Sequence, residues 1–136
     1  SNYGLNDEDY TANIDDVVQY IPILESAEAI ENIDDILGVE GVDGCIVGPV
    51  DLCISLGIPF QFEHPKYLDA LRLVRKAGQD SGKPVGHPII GCSSDKEKIR
   101  QQIAEGVRLM LIGGDEGFLR DTLRSSIDEL SFLRNE

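Results

Sequence analysis

A chain of 136 residues has room for one domain with one core, and not for two. Its apolar content of 41% is too high for a disordered segment. Asp and Glu number 25 against 12 Lys and Arg, a formal charge of -13 that disfavours nucleic acid and anionic membranes as partners, with no local Lys/Arg cluster to offset it.

Residues 1–19 are polar and acidic, and Asn6 is placed to cap a short helix from Asp7 to about Ala12. Val17-Val18 and the run Tyr20 to Leu24 predict the first strand, where Pro22 is tolerated only if its missing N–H falls outside the ladder. A helix from about Ala27 to Leu37 should follow. Ile30, Ile33 and Leu37 form its apolar stripe, while Glu28, Glu31, Asp34 and Asp35 face outward or lie near its start. Gly38 or Gly41 ends it. Residues 43–47 predict the second strand, Gly48-Pro49 a turn, and Asp51 to Leu56 a short helix closed by Gly57.

After a loop from Ile58 to Glu63, Pro65 suits the first turn of a third helix reaching about Gln79. Leu68, Leu71, Val74 and Ala77, with Ala70, should face the sheet. Lys83-Pro84-Val85-Gly86-His87 begins the third strand, which extends as far as Ile90. Ser94 and Glu97 fit a capping box for a fourth helix, with Ile99, Ile103 and Ala104 inward and Gly106 ending it. Val107 to Ile112 predicts the fourth strand, and Gly113 to Gly117 turns the chain. A last helix from about Phe118 to Leu133 carries Leu119, Leu123, Ile127 and Leu130, a stripe suited to core or subunit contact.

The order is strand, loop and helix, repeated through the chain. Such βα units with short apolar strands imply an α/β fold with right-handed crossovers and a parallel sheet, as in a barrel or a doubly wound unit. Left alone, the sheet would expose two edges and one apolar face, which missing residues, a partner copy or a local rearrangement must cover. Cys45, Cys53 and Cys92 cannot all pair within the chain and lack CxxC spacing, so reduced thiols in a cytoplasmic protein are expected. The sequence contains no signal peptide and no long apolar span. Its opening, Ser1-Asn2-Tyr3-Gly4, has no initiator methionine and reads as a processed chain or a fragment.

Two carboxylates share one setting. Glu25 follows the run Tyr20 to Leu24, and Asp51 follows Cys45-Ile46-Val47 across Gly48-Pro49. Adjacent parallel strands lie about 4.8 Å apart, so two such side chains can converge on one ion. Two carboxylates with positions left for water and substrate oxygen describe a Mg²⁺ or Mn²⁺ site able to chelate a 2-oxo acid and support its enolate. The alternative is structural: strand-end acids commonly cap helices, and Asp51 can simply hold the turn after Pro49. The amides of Val50 and Asp51, at a helix start beside Gly48 and Pro49, form a seat for a substrate carboxylate. His87, late in a strand, is a weak candidate for a general base, with a hydrogen-bonded structural role as its alternative. His64 reads as a cap or surface histidine, Asp115 as a turn or cap residue, and Glu28 as a helix-start acid.

The segment Pro22-Ile23-Leu24-Glu25-Ser26-Ala27-Glu28-Ala29-Ile30 resembles the glutamate-bearing motif of the HpcH/HpaI aldolase family. Gly41-Val42-Asp43-Gly44-Cys45-Ile46-Val47-Gly48-Pro49-Val50-Asp51-Leu52 resembles its aspartate motif, followed by Ser55-Leu56-Gly57. Gly82-Lys83-Pro84-Val85-Gly86 and Ile112-Gly113-Gly114-Asp115-Glu116-Gly117 are similar to its last two strand ends, with Gly114 where the family usually has serine.

The resemblance implies a single domain over 1–136 that supplies the last four βα units of a TIM (β/α)₈ barrel, the C-terminal half. It implies a divalent-metal-dependent class II aldolase cleaving 2-oxo-4-hydroxy acids to pyruvate and an aldehyde through a metal-stabilised enolate. Glu25 and Asp51 would be the metal ligands, with Gly48, Pro49, Val50 and Asp51 holding the substrate. The family's histidine base and substrate arginine come from regions before this sequence begins, so the chain alone is expected to be inactive. It would then need a complementing N-terminal half or assembly as a homo-oligomer. The alternatives are a catalytically incomplete half-barrel with a structural or assembly role, or a related lyase using the same metal site on another substrate.

Overall fold

The computed structural model of the chain describes residues 14, 18–88 and 96–135. In chain order it contains β1 (Ile23–Leu24), α1 (Ala27–Glu31), α2 (Ile33–Gly38), β2 (Cys45–Val47), α3 (Pro49–Ser55) and α4 (Pro65–Ser81). There follow β3 (Val85–Pro88), α5 (Lys96–Ala104), β4 (Leu109–Leu111), α6 (Asp115–Glu129) and a 3₁₀ turn at Ser131–Asn135. The four strands form one sheet in the order β1-β2-β3-β4, every neighbouring pair parallel. This is an α/β fold with flanking helices, matching a partial (β/α) barrel.

Strand β1 is shorter than the predicted run, yet its pairing begins earlier. Asp43 N–H donates to Tyr20 O at 3.0 Å, Ile46 N–H to Pro22 O at 3.0 Å, and Gly48 N–H to Leu24 O at 2.9 Å. Pro22 joins the ladder through its carbonyl on an edge strand, where its missing donor does no harm. The helix expected from Ala27 to Leu37 is split at Asn32, whose φ of -101° and ψ of 17° leave the helical region. Its side-chain amide donates to Glu28 O at 2.8 Å, a local bond that competes with regular helix. Helix α3 starts at Pro49, not Asp51, because proline suits the first helical position. Helix α6 likewise starts at Asp115, inside the expected turn, with Asp115 and Glu116 favouring its N-terminus.

Alternation along the strands sorts the two faces of the sheet. Leu24, Cys45, Val47 and Val85 are buried toward the helices, where they join Ile30, Ile33, Leu37, Leu52, Val74 and Ala77 in one core. The other face bears Ile46, Gly86 and Leu109: a Cβ at Gly86 would lie 2.7 Å from Leu109 Cβ and 3.1 Å from Ile46 Cγ1. Ile23, the alternate residue on β1, is 60% exposed. Helix α4 runs to Ser81, two residues past the expected Gln79, and stops at Gly82, whose φ of 70° is left-handed.

The inward positions expected for α5 do not hold: no residue of that helix is buried, and Ile103 is 46% exposed. None of α6 is buried either. The helix predicted over Asp7 to Ala12, Val17, Ser94, Cys92 and the strand extension to Ile90 lie outside the described residues. No described helix is long and apolar enough to cross a membrane.

Candidate functional site

β1 and β2 end side by side, Leu24 opposite Val47, so the residues that leave their carboxyl ends meet. There Gly48 packs directly on Glu25. A Cβ at position 48 would lie 3.0 Å from Glu25 Cβ and 3.1 Å from Glu25 Oε2, so a side chain would crowd the carboxylate that glycine leaves free. Gly48 is also the N-cap of α3, Pro49 opens the helix, and Asp51 sits in its first turn. No side chain caps this end, and amides at second and third helical positions have no carbonyl within their own helix. Glu25 and Asp51 are both exposed to solvent.

The far end of α3 returns to the same segment. Ser55 Oγ accepts the N–H of Ala27 at 2.9 Å, while the N-cap Ser26 Oγ accepts the N–H of Ala29 at 3.1 Å. Asp51 and Ser55 stand four residues apart and share one face of the helix. The Ser55 bond escapes sequence reading except for that spacing, since its partner is a backbone amide.

The donor set can be tested against the ion that the sequence implies. Among the described residues no group of three or more His, Cys, Asp or Glu side chains is gathered to hold a metal ion. Two open carboxylates fit a hard divalent ion such as Mg²⁺ or Mn²⁺, which keeps water and substrate oxygens in its remaining positions. They do not fit a closed structural zinc site.

Of the two roles weighed for His87, its contacts match the hydrogen-bonded structural one. Val85, on the same face of β3, lies against α4, where a Cβ at Gly78 would be 2.4 Å from Val85 Cγ1. His87 therefore faces the helix layer and not the barrel interior, and its Nε2 lies 2.8 Å from the Tyr67 hydroxyl. Tyr67 is a buried residue of α4 that the sequence reading missed, although Tyr67, Ala70, Val74 and Ala77 form a regular helical stripe. Burial pushes the Tyr67 phenol above its ordinary range, so it remains protonated. His64 caps α4, its Nδ1 accepting the Lys66 N–H at 3.1 Å. Asp115 opens α6, and its Oδ1 accepts the Glu116 N–H at 3.0 Å, a helix-start role. Cys45 and Cys53 are free and buried, and burial pushes the Cys45 thiol up to about 11.

The sequence profile of the family described as HpcH/HpaI aldolase/citrate lyase matches residues 9–120. Escherichia coli 2-keto-3-deoxy-L-rhamnonate aldolase is 32% identical over 120 residues, covering 85% of this chain and 42% of that protein. The chain thus spans less than half the length of that relative. Citrate synthase SbnG superposes with a TM-score of 0.74 at 26% identity, covering 95% of this chain and 51% of that one. An HpcH/HpaI aldolase/citrate lyase family protein from Burkholderia cenocepacia superposes at 0.73 with 30% identity, covering 93% of this chain and 48% of that one.

Proposed function

The chain belongs to the HpcH/HpaI aldolase/citrate lyase family, and on that premise we propose that it carries the carboxylate end of a lyase site for 2-oxo acids without completing that site alone. The observation that carries the reading is the meeting of Glu25 with Gly48 where β1 and β2 end, one helical turn from Asp51. Catalytic groups of (β/α) barrels gather at this end of the strands.

Glu25 and Asp51 would hold a divalent cation, Mg²⁺ or Mn²⁺. Such an ion, when bound, supplies a Lewis acid at the 2-oxo group. The N–H groups of Val50 and Asp51 would seat the substrate carboxylate, and the bare Gly48 keeps the space beside Glu25 open. Together these groups would fix pyruvate, or the pyruvoyl end of a 2-oxo-4-hydroxy acid, in one orientation. They do not supply a base. His64 caps a helix and His87 is engaged with Tyr67, so proton transfer to or from the aldehyde-forming hydroxyl falls to a group elsewhere.

The reading of this chain as an incomplete half-barrel, the C-terminal one by motif order, has its own support. Ile23 and Leu111, on strands that would line a closed barrel, are 60% and 44% exposed. Further chain or a second copy would cover them. The proposal is tested by titrating Mn²⁺ into the 136-residue chain and following water-proton relaxation, with and without pyruvate, beside Asp51→Ala. Saturable binding that pyruvate alters and the variant loses is expected. A folded chain that binds no Mn²⁺ contradicts it.

A further inference from the structure

We infer that Ser55 is a positioning residue for the Glu25–Asp51 pair, an inference that rests on the reading of that pair as an ion site. Glu25 lies in the segment between β1 and α1, and the β2–α3 unit ties that segment on both sides. Before Glu25, Gly48 N–H donates to Leu24 O at 2.9 Å. After it, Ala27 N–H donates to Ser55 Oγ at 2.9 Å. Asp51 belongs to the same unit, one helical turn ahead of Ser55. The span from Leu24 to Ala27 is therefore held against the helix that carries the second carboxylate, and α3 itself is the ruler between the two.

Without the Ser55 hydroxyl, the bond at Leu24 still ties the span from Leu24 to Ala27 to the β2–α3 unit, and the Ala27 end of that span loses this tether. The Ala27 N–H is one of the first amides of α1, which no carbonyl of that helix accepts. The Ser26 hydroxyl cannot replace Ser55 there, because it serves Ala29. Ser55 and Ala27 meet at an exposed place, so water takes over the orphaned amide at little cost in stability. Carboxylate spacing is less forgiving, since two ligands must reach one ion together. Affinity and stability should therefore separate in a Ser55 variant, which a merely structural hydrogen bond would not produce.

The test measures free Mn²⁺ by electron paramagnetic resonance during titration of the wild-type chain, Ser55→Ala and Ser55→Thr. Melting temperatures of the metal-free proteins are recorded beside it. Ser55→Ala is expected to weaken Mn²⁺ binding roughly three- to tenfold with little change in melting temperature, and Ser55→Thr, which keeps the hydroxyl, to restore it. Unchanged affinity in Ser55→Ala overturns the inference while leaving the carboxylate pair intact as an ion site. A loss that tracks a lower melting temperature, or that threonine does not recover, makes Ser55 structural and overturns it too. A folded wild-type chain with no saturable Mn²⁺ binding overturns both this inference and the function it rests on.

Discussion

The stretch from Leu24 to Val85 and the stretch from Lys96 to Asn135 use the same grammar of strands and amphipathic helices, with opposite results. In the first, Ile30, Ile33 and Leu37 are buried, and α4 packs on α1, α2 and β3. In the second, Val107 is the one buried hydrophobic residue described, and α6 meets mainly the 3₁₀ turn that follows it. Leu123, in a stripe as regular as that of α2, is 54% exposed. Periodicity identifies the face to be buried; it does not supply what covers it. The first stretch finds its cover within the chain and also carries Glu25, Gly48 and Asp51, so the candidate site stands on the better-packed part.

Truncation at matched leucines is the strongest way to break this contrast. Leu52→Ala removes a side chain with 0% exposure and should cost about 2–5 kcal/mol in urea denaturation. Leu123→Ala should stay within about 0.5 kcal/mol. Equal costs would mean that α6 is packed in solution and that the contrast is false.

Cys45 sharpens the same comparison through pH. Burial pushes its thiol up to about 11 from an ordinary 9.0. Below pH 9 both states hold the proton and its contribution is fully present; above that, the unfolded chain releases its proton first, so stability falls until about pH 11. The loss should approach about 2–3 kcal/mol, and Cys45→Ala should remove it from the pH profile even if that variant is weaker at pH 7. A wild-type profile that is no steeper than the variant's would deny the tight packing around β2.

A smaller effect is expected where β2 meets β3. A Cβ at Gly44 would lie 2.4 Å from Pro84 O, a backbone atom that cannot swing aside, so Gly44→Ala should cost about 1–3 kcal/mol. At Gly38, the end of α2, an added methyl would meet nothing within 4 Å, and Gly38→Ala should be neutral or stabilising by up to about 1 kcal/mol. Thermal melts of the two variants give the comparison directly.

Much of this arrangement was legible in the sequence. The succession of strands and helices, the parallel sheet and the places of Glu25 and Asp51 just past strand ends follow from apolar runs that stop at a carboxylate or at Gly-Pro, whereas the order of the strands in the sheet came only with the family resemblance. The split at Asn32 was not legible, because a side-chain bond to Glu28 O decides it. The face of His87 was equally hidden: Gly86 and Pro88 flank it without an alternating pattern, and a shift of one residue reverses every side chain on a strand. Ser55 reaches a backbone amide 28 residues away, and any residue but proline presents such an amide.

In the proposed site Glu25 and Asp51 serve one ion. A double-mutant cycle on Mn²⁺ affinity tests it most directly, using wild type, Glu25→Gln, Asp51→Asn and the double variant of this chain. Each single substitution should weaken binding by about tenfold or more, and the double variant should lose less than the two losses combined, because either change alone already breaks the shared chelate. Losses that simply add, or a single substitution with no effect, would contradict the shared site.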